Sequence, residues 1–188
     1  LRLMRVAALA GADFDADVAA RVLETHPVDM VDAWRELEQA QLLRDGRPAH
    51  DLIAEAAAQS LPGAIAQSLH ARLAASLDAL GRGAARVAPH WAAAQAWPRA
   101  GDAYAAAAGE ARRASRRSDE IVLWERAAEA FDRAGQLGKA FDARAESVPG
   151  VILVRVDAAQ VQVLAVEEEA AVGGPLEPAE AETGLDRP

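Results

Sequence analysis

Apolar positions along this chain recur mostly at helical spacing, and glycines and prolines cut that pattern into short pieces. Residues 1–10 read as a short helix ended by Gly11, a residue suited to a helix C-cap. Asp13 or Asp15 can cap the next helix, which runs to about Glu24 on Phe14, Val18, Val22 and Leu23. Pro27 restarts the chain, and from Asp29 a third helix sets Met30, Trp34, Leu37 and Gln41 on one face. Asp45-Gly46 lies between the short segments Leu42-Leu43-Arg44 and Arg47 onward, and this dipeptide favours a two-residue hairpin.

The pattern then lengthens. His50-Asp51 opens a helix through Leu61, and Pro62-Gly63 breaks it. A longer helix follows on Ile65, Leu69, Leu73, Leu77 and Leu80; Gly81 to Gly83 ends it, and Val87 with Trp91 marks the next. From about Ala94 the texture becomes repetitive. Residues 94–103 can be laid over 134–143 at an offset of 40, while Arg-Ala-Gly recurs from Arg99 to Arg133 at an offset of 34. Both registers fall in the range of helical-hairpin repeats. Between them Ile121, Trp124, Ala128 and Phe131 form a helical stripe. Small residues facing one large aromatic is how paired helices of a solenoid nest.

After Pro149-Gly150 the residues change in kind. Val151–Val156 and Val161–Val166 are rich in β-branched side chains and can pair as a hairpin, with a helix from Ala158 as the other reading. The glycines, prolines and acids from Gly173 to Pro188 predict disorder.

Composition supports a helical reading. The chain is 52 % hydrophobic but only 4 % aromatic, so alanine carries much of the apolar content. Alanine is the best helix former and buries little area, which predicts closely packed helices with thin cores. The net charge of −9 is uneven: residues 151–188 hold eight acids against Arg155 and Arg187, leaving −3 for the first 150 residues. Such a surface repels phosphate backbones, so nucleic-acid binding has little electrostatic support. There is no cysteine and hence no thiol chemistry. No apolar run approaches a membrane span, and the start lacks a signal-peptide pattern. A cytoplasmic protein is expected, and the initial Leu1 suggests a fragment of a longer chain.

Candidate chemistry is sparse. His50, His70 and His90 recur every 20 residues, yet none has a close-spaced ligand partner, so each is expected to cap a helix or to bond between helices rather than hold a metal. Gly135-Gln136-Leu137-Gly138-Lys139-Ala140 is too short for a phosphate loop and has Ala140 where Ser or Thr would bind magnesium; it reads as a turn. Arg112, Arg113, Arg116 and Arg117 form a basic cluster at a helix end, explained by the helix dipole or by an acidic partner surface. No serine, histidine and aspartate lie close enough in sequence to suggest a nucleophile. The expectation is a protein that is not an enzyme and needs no cofactor or metal.

One family resemblance is carried by the middle of the chain. His50-Asp51-Leu52-Ile53 with Glu55-Ala56, then Ser60-Leu61-Pro62, Leu69-His70 with Arg72-Leu73-Ala74, and His90-Trp91 with Ala94, resemble the segment after the nucleotide-binding module of STAND/AAA-type bacterial transcriptional regulators, LuxR-type and cyclase-linked relatives included. The likeness spans about residues 1–146. Ala49 stands where an aromatic usually precedes the histidine, and Gln95 where glycine usually follows the alanine. The phosphate-binding module is absent from this chain, so ATP binding is not carried over. Past about Glu146 the likeness fades, and a truncation or changed reading frame near Val148 is the expected cause.

The resulting expectation is a mainly α chain in three parts. Residues 1–50 form a winged-helix-like N-terminal module, 51–147 a helical linker and TPR-like antiparallel helical hairpins, and 148–188 a valine-rich, irregular or short β segment with an acidic disordered tail. Its partners would be proteins or the NTPase module that the resemblance implies. A DNA-binding winged helix is the alternative. Against it, the third helix carries Asp29, Asp32, Glu36 and Glu38 with Arg35 alone to offset them, and no arginine pair is placed to read guanine.

Overall fold

A computed structural model describes residues 1–148 and the strand backbones 151–157 and 160–165. Among the described residues the chain is mainly α-helical. Helices α1 (Arg2–Ala10), α2 (Ala16–Leu23) and α3 (Val31–Gln39) come first, then the small strands β1 (Leu43–Arg44) and β2 (Arg47–Pro48). Six further helices follow: α4 (Asp51–Gln59), α5 (Gly63–Ala79), α6 (Ala84–Ala93), α7 (Trp97–Arg113), α8 (Arg117–Arg133) and α9 (Leu137–Ser147). Strands β3 (Val151–Asp157) and β4 (Gln160–Ala165) then pair antiparallel, with Val151 opposite Ala165, so the hairpin reading of this stretch holds over the helical one. The disorder expected for Gly173–Pro188 lies outside the described residues.

Local chemistry explains the first elements. Gly11 closes α1 at φ 56°. Asp15 caps α2, its carboxylate accepting from the Val18 amide at 2.8 Å. Pro27 does restart the chain, but as a 3₁₀ turn through Met30; α3 begins at Val31 rather than Asp29. The His26 ring caps that turn by accepting from the Val28 amide at 3.3 Å. Gln41 is not on the helical face assigned to it, because α3 stops at Gln39 and Gln41 turns left-handed at φ 56°. That turn lets the Leu42 amide donate back to the Leu37 carbonyl at 2.8 Å. Asp45 and Gly46, at φ 51° and 74°, make the expected tight hairpin.

The first module buries aliphatic side chains. Leu3, Val6, Phe14, Val18 and Val22 are nearly or fully inaccessible, and Trp34 stacks on Phe14 with ring centroids 5.2 Å apart. α4 packs on α1, so it joins this module in space. α5 then packs on α2, and Leu73 and Leu77 are fully buried. Ile65, expected on the same stripe, is 51 % exposed because it lies in the first turn of α5, ahead of the contact with α2.

From α5 onward each helix packs mainly on the next. Contacts run in opposite senses along neighbours: Trp97 meets Arg133, Gly101 meets Phe131 and Arg112 meets Glu120. The helices are therefore antiparallel. α7, α8 and α9 start at Trp97, Arg117 and Leu137, and Gln95, Ser115 and Gly135 precede them with φ between 55° and 70°. Each turn closes with the same bond, from the amides of Ala96, Arg116 and Gln136 to the carbonyls of Trp91, Ala111 and Phe131. The helix repeat is thus 20 residues and the hairpin repeat 40. This selects the 40-residue register over the 34-residue one.

Packing in the array follows from residue size. Ala100, Ala107, Ala108, Ala111, Ala127 and Ala128 are buried, with Tyr104 and Phe131 as the large side chains among them. Phe131 lies so close to Gly101 that a β-carbon there would sit 2.5 Å from its ring. Glycine is required at that crossing for room, not for backbone conformation.

Candidate functional site

Two histidines of the middle segment meet, and the third stays apart. His70 on α5 and His90 on α6 approach with Nδ1 atoms 2.9 Å apart and ring centroids 5.2 Å apart. One Nδ1–H donates and the other Nδ1 accepts, so the pair is a hydrogen bond between helices. Burial pushes the His90 imidazole down to about 4, with the neighbouring His70 lowering it further and Asp13 opposing. Burial also lowers His70. His50 is exposed at the N-cap position of α4, where its ring makes no capping bond. Asp51 follows in the first turn, where a carboxylate favours the helix dipole. Among the described residues no group of three His, Cys, Asp or Glu side chains is placed to hold a metal ion.

Trp91, next to His90, is 9 % exposed and packs with Val87 at the base of a groove of about 840 Å³ between α5, α6 and α7. Its floor is small, formed by Ala75, Ala79, Ala84, Ala103 and Ala106. Charge stands on the rim. Arg99 lies over the Trp91 ring at 4.7 Å from the centroid. Asp102 is paired with Lys139 at 2.7 Å. Asp78 and Glu110 line the groove without a cationic partner among the described residues. Little in the sequence points to this groove, because its walls come from three helices and its floor residues read as ordinary helix formers.

The arginine cluster spans the end of α7 and the start of α8. Only Arg112 and Arg113 fall in the last turn of α7; Arg116 stands at the N-cap position of α8 without a capping bond, and Arg117 begins the helix. Cations there oppose the helix dipole, and the acids of the same turn compensate. Glu120 is 2 % exposed and accepts from Arg112 at 2.5 Å and from Arg117 at 2.8 Å. Hydrogen bonds from Arg112 and then Arg117 hold its carboxyl below the usual carboxylate range. Arg112 also bonds Glu146 on α9, and Arg116 pairs with Asp119 at 3.1 Å. Arg113 has no ion pair among the described residues. Arg112 and Arg117 thus tie three helices around a buried acid.

A second set of ion pairs was not anticipated from the sequence. Arg72 and Arg82 of the α5 region pair with Glu24 and Asp15, and Arg86 of α6 pairs with Asp13 at 3.0 Å. Arg72 also donates to the Val22 carbonyl at 2.8 Å. These side chains clasp the first module to the helical array. Opposite charges 48 or more residues apart offer no periodic signal that could have revealed them.

The glycine-bearing turn at Gly135 places Lys139 against Asp102 and over the Phe131 ring at 5.1 Å, so this lysine is engaged in packing α9 on its neighbours. Comparison with known proteins adds no constraint: no family model matches the chain, and no curated protein and no solved structure is significantly similar to it.

Proposed function

We propose that this chain is a non-catalytic interaction scaffold, a winged-helix-like module followed by TPR-like hairpins that belongs to a signal-transduction ATPase-type transcriptional regulator. The observation that carries the reading is the open groove of α5–α7, set in an array of antiparallel hairpins and joined to the first module by arginine ion pairs, while the His70–His90 bond links α5 to α6 within the array. An array of this kind presents a continuous surface to a protein partner. The 40-residue hairpin exceeds the roughly 34 residues of a tetratricopeptide repeat, so the likeness lies in helix layout and not in repeat length. In an intact relative the scaffold would couple a nucleotide switch to an input.

The competing reading is a winged-helix DNA binder. The α3 surface argues against it, since Asp32, Glu36 and Glu38 are exposed there with Arg35 as the cation between them. Titration of the chain against duplex DNA at low and high salt decides the matter. We expect no binding tighter than about micromolar at low salt; tighter binding with a steep salt slope would overturn the scaffold reading.

A further inference from the structure

We propose that the α5–α7 groove docks an extended protein segment bearing lysine or arginine, whose cationic head lies between Asp78 and Glu110. The proposal rests on the scaffold reading and names the chemistry of the partner. Glu110 is half-buried and Asp78 exposed, and neither carboxylate has a cationic partner among the described residues. Asp102 holds Lys139, and Arg99 lies over Trp91 at the far end of the groove, where it keeps its positive charge. At the Asp78 and Glu110 end of the groove the charge left for an incoming chain is therefore negative.

Backbone geometry keeps that end open. Gly81 and Gly83, at φ 64° and 86°, form the turn between α5 and α6. A β-carbon on Gly81 would meet nothing within 4 Å, and one on Gly83 would lie 3.9 Å from the Glu110 carboxylate. The alanine floor admits a backbone where larger side chains would fill the space. From Arg99 to Glu110 the groove follows α7 for roughly 16 Å at about 1.5 Å per residue, the length of about five extended residues. An aliphatic lysine or arginine stem can lie along the alanines while its charge reaches the carboxylates. The chain's own C-terminal segment has the wrong sign, with eight acids against two arginines after residue 150. A basic segment of another protein fits better.

The experiment uses fluorescein-labelled decapeptides of alternating lysine and alanine, or of glutamate and alanine, titrated with the full chain and read by anisotropy. We expect saturable binding of the lysine peptide, weaker at high salt. Asp78→Asn with Glu110→Gln should weaken it about tenfold, and Ala106→Trp, which fills the groove, should abolish it. Matching thermal melts confirm that the variants are folded. Lysine-peptide binding that survives both sets of substitutions, or no binding at all, would overturn the proposal. Preference for the glutamate peptide, lost on Ala106→Trp, would overturn the cationic occupant while leaving the scaffold reading intact; tight duplex binding would remove the scaffold reading itself.

Discussion

The first module and the helical array bury their side chains by different means. The module packs aliphatic groups such as Leu3, Val6, Val18 and Val22 around Phe14, in helices of nine residues or fewer. The array packs alanines along helices of 10 to 17 residues and relies on a few large rings. Apolar area scales with side-chain size, so an alanine interface stabilises little per residue and concentrates its dependence on the rings. In the module the burden is shared. The two regions should therefore respond differently to the loss of one side chain, to acid and to salt.

The largest expected effect is at Phe131. It is 4 % exposed, pressed on Gly101 from one side and met by Lys139. Phe131→Ala should cost about 3–5 kcal/mol, because the alanines around it cannot collapse into the space. Differential scanning calorimetry should show the array melting before the module. A single cooperative transition with an unchanged midpoint would show that the two regions do not differ in this way.

Acid should act next most strongly, within the array where α5 meets α6. His90 is neutral in the fold, with its pKa depressed from 6.5 to about 4. Its contribution is fully present above the unfolded value and lost as pH falls from about 6.5 through about 4, to the extent of roughly 3 kcal/mol. His70, shifted in the same direction, adds to it. The Glu120 carboxyl, held below its ordinary 4.5, loses its contribution only at lower pH, so the upper part of the window belongs to the histidines. Thermal midpoints should fall between pH 6.5 and 4.5, and His90→Gln should flatten that slope. A midpoint that stays constant across the window in the unaltered protein would contradict the buried neutral pair.

The smallest effect is expected at the clasp. The Arg72 and Glu24 side chains are 44 % and 72 % exposed, so water and salt screen their pairing. Glu24→Gln should change stability by less than about 0.5 kcal/mol in urea titrations, since the Arg72 bond to the Val22 carbonyl remains. A loss above about 1 kcal/mol would mean that the ion pairs act together to hold the module on the array.

Much of the local structure was legible in the sequence because its causes are local. Gly11, Asp15, Asp45-Gly46 and Pro62 placed ends and turns where backbone conformation or capping chemistry demanded them. Errors came where tertiary position outweighs periodicity. Ile65 lies on a helical stripe but ahead of the surface that covers the rest of it. Gln41 continues the spacing of α3 after the helix has ended. The repeat shows the same limit: short identities supported offsets of both 34 and 40, and the left-handed turns at Gln95, Ser115 and Gly135 select the longer one. Two of those turns are made by residues that rarely announce a left-handed backbone.

Sequence alone determined that this protein is helical, rich in alanine, acidic and free of cysteine chemistry, because propensity, composition and charge are properties of residues taken singly or in short windows. Tertiary structure decided what those residues do. It joined His70 to His90 and left His50 apart, set Arg112 and Arg117 on the buried Glu120, and left Asp78 and Glu110 facing an open groove. Each outcome depends on which helix lies beside which, at separations where one-dimensional spacing carries no signal.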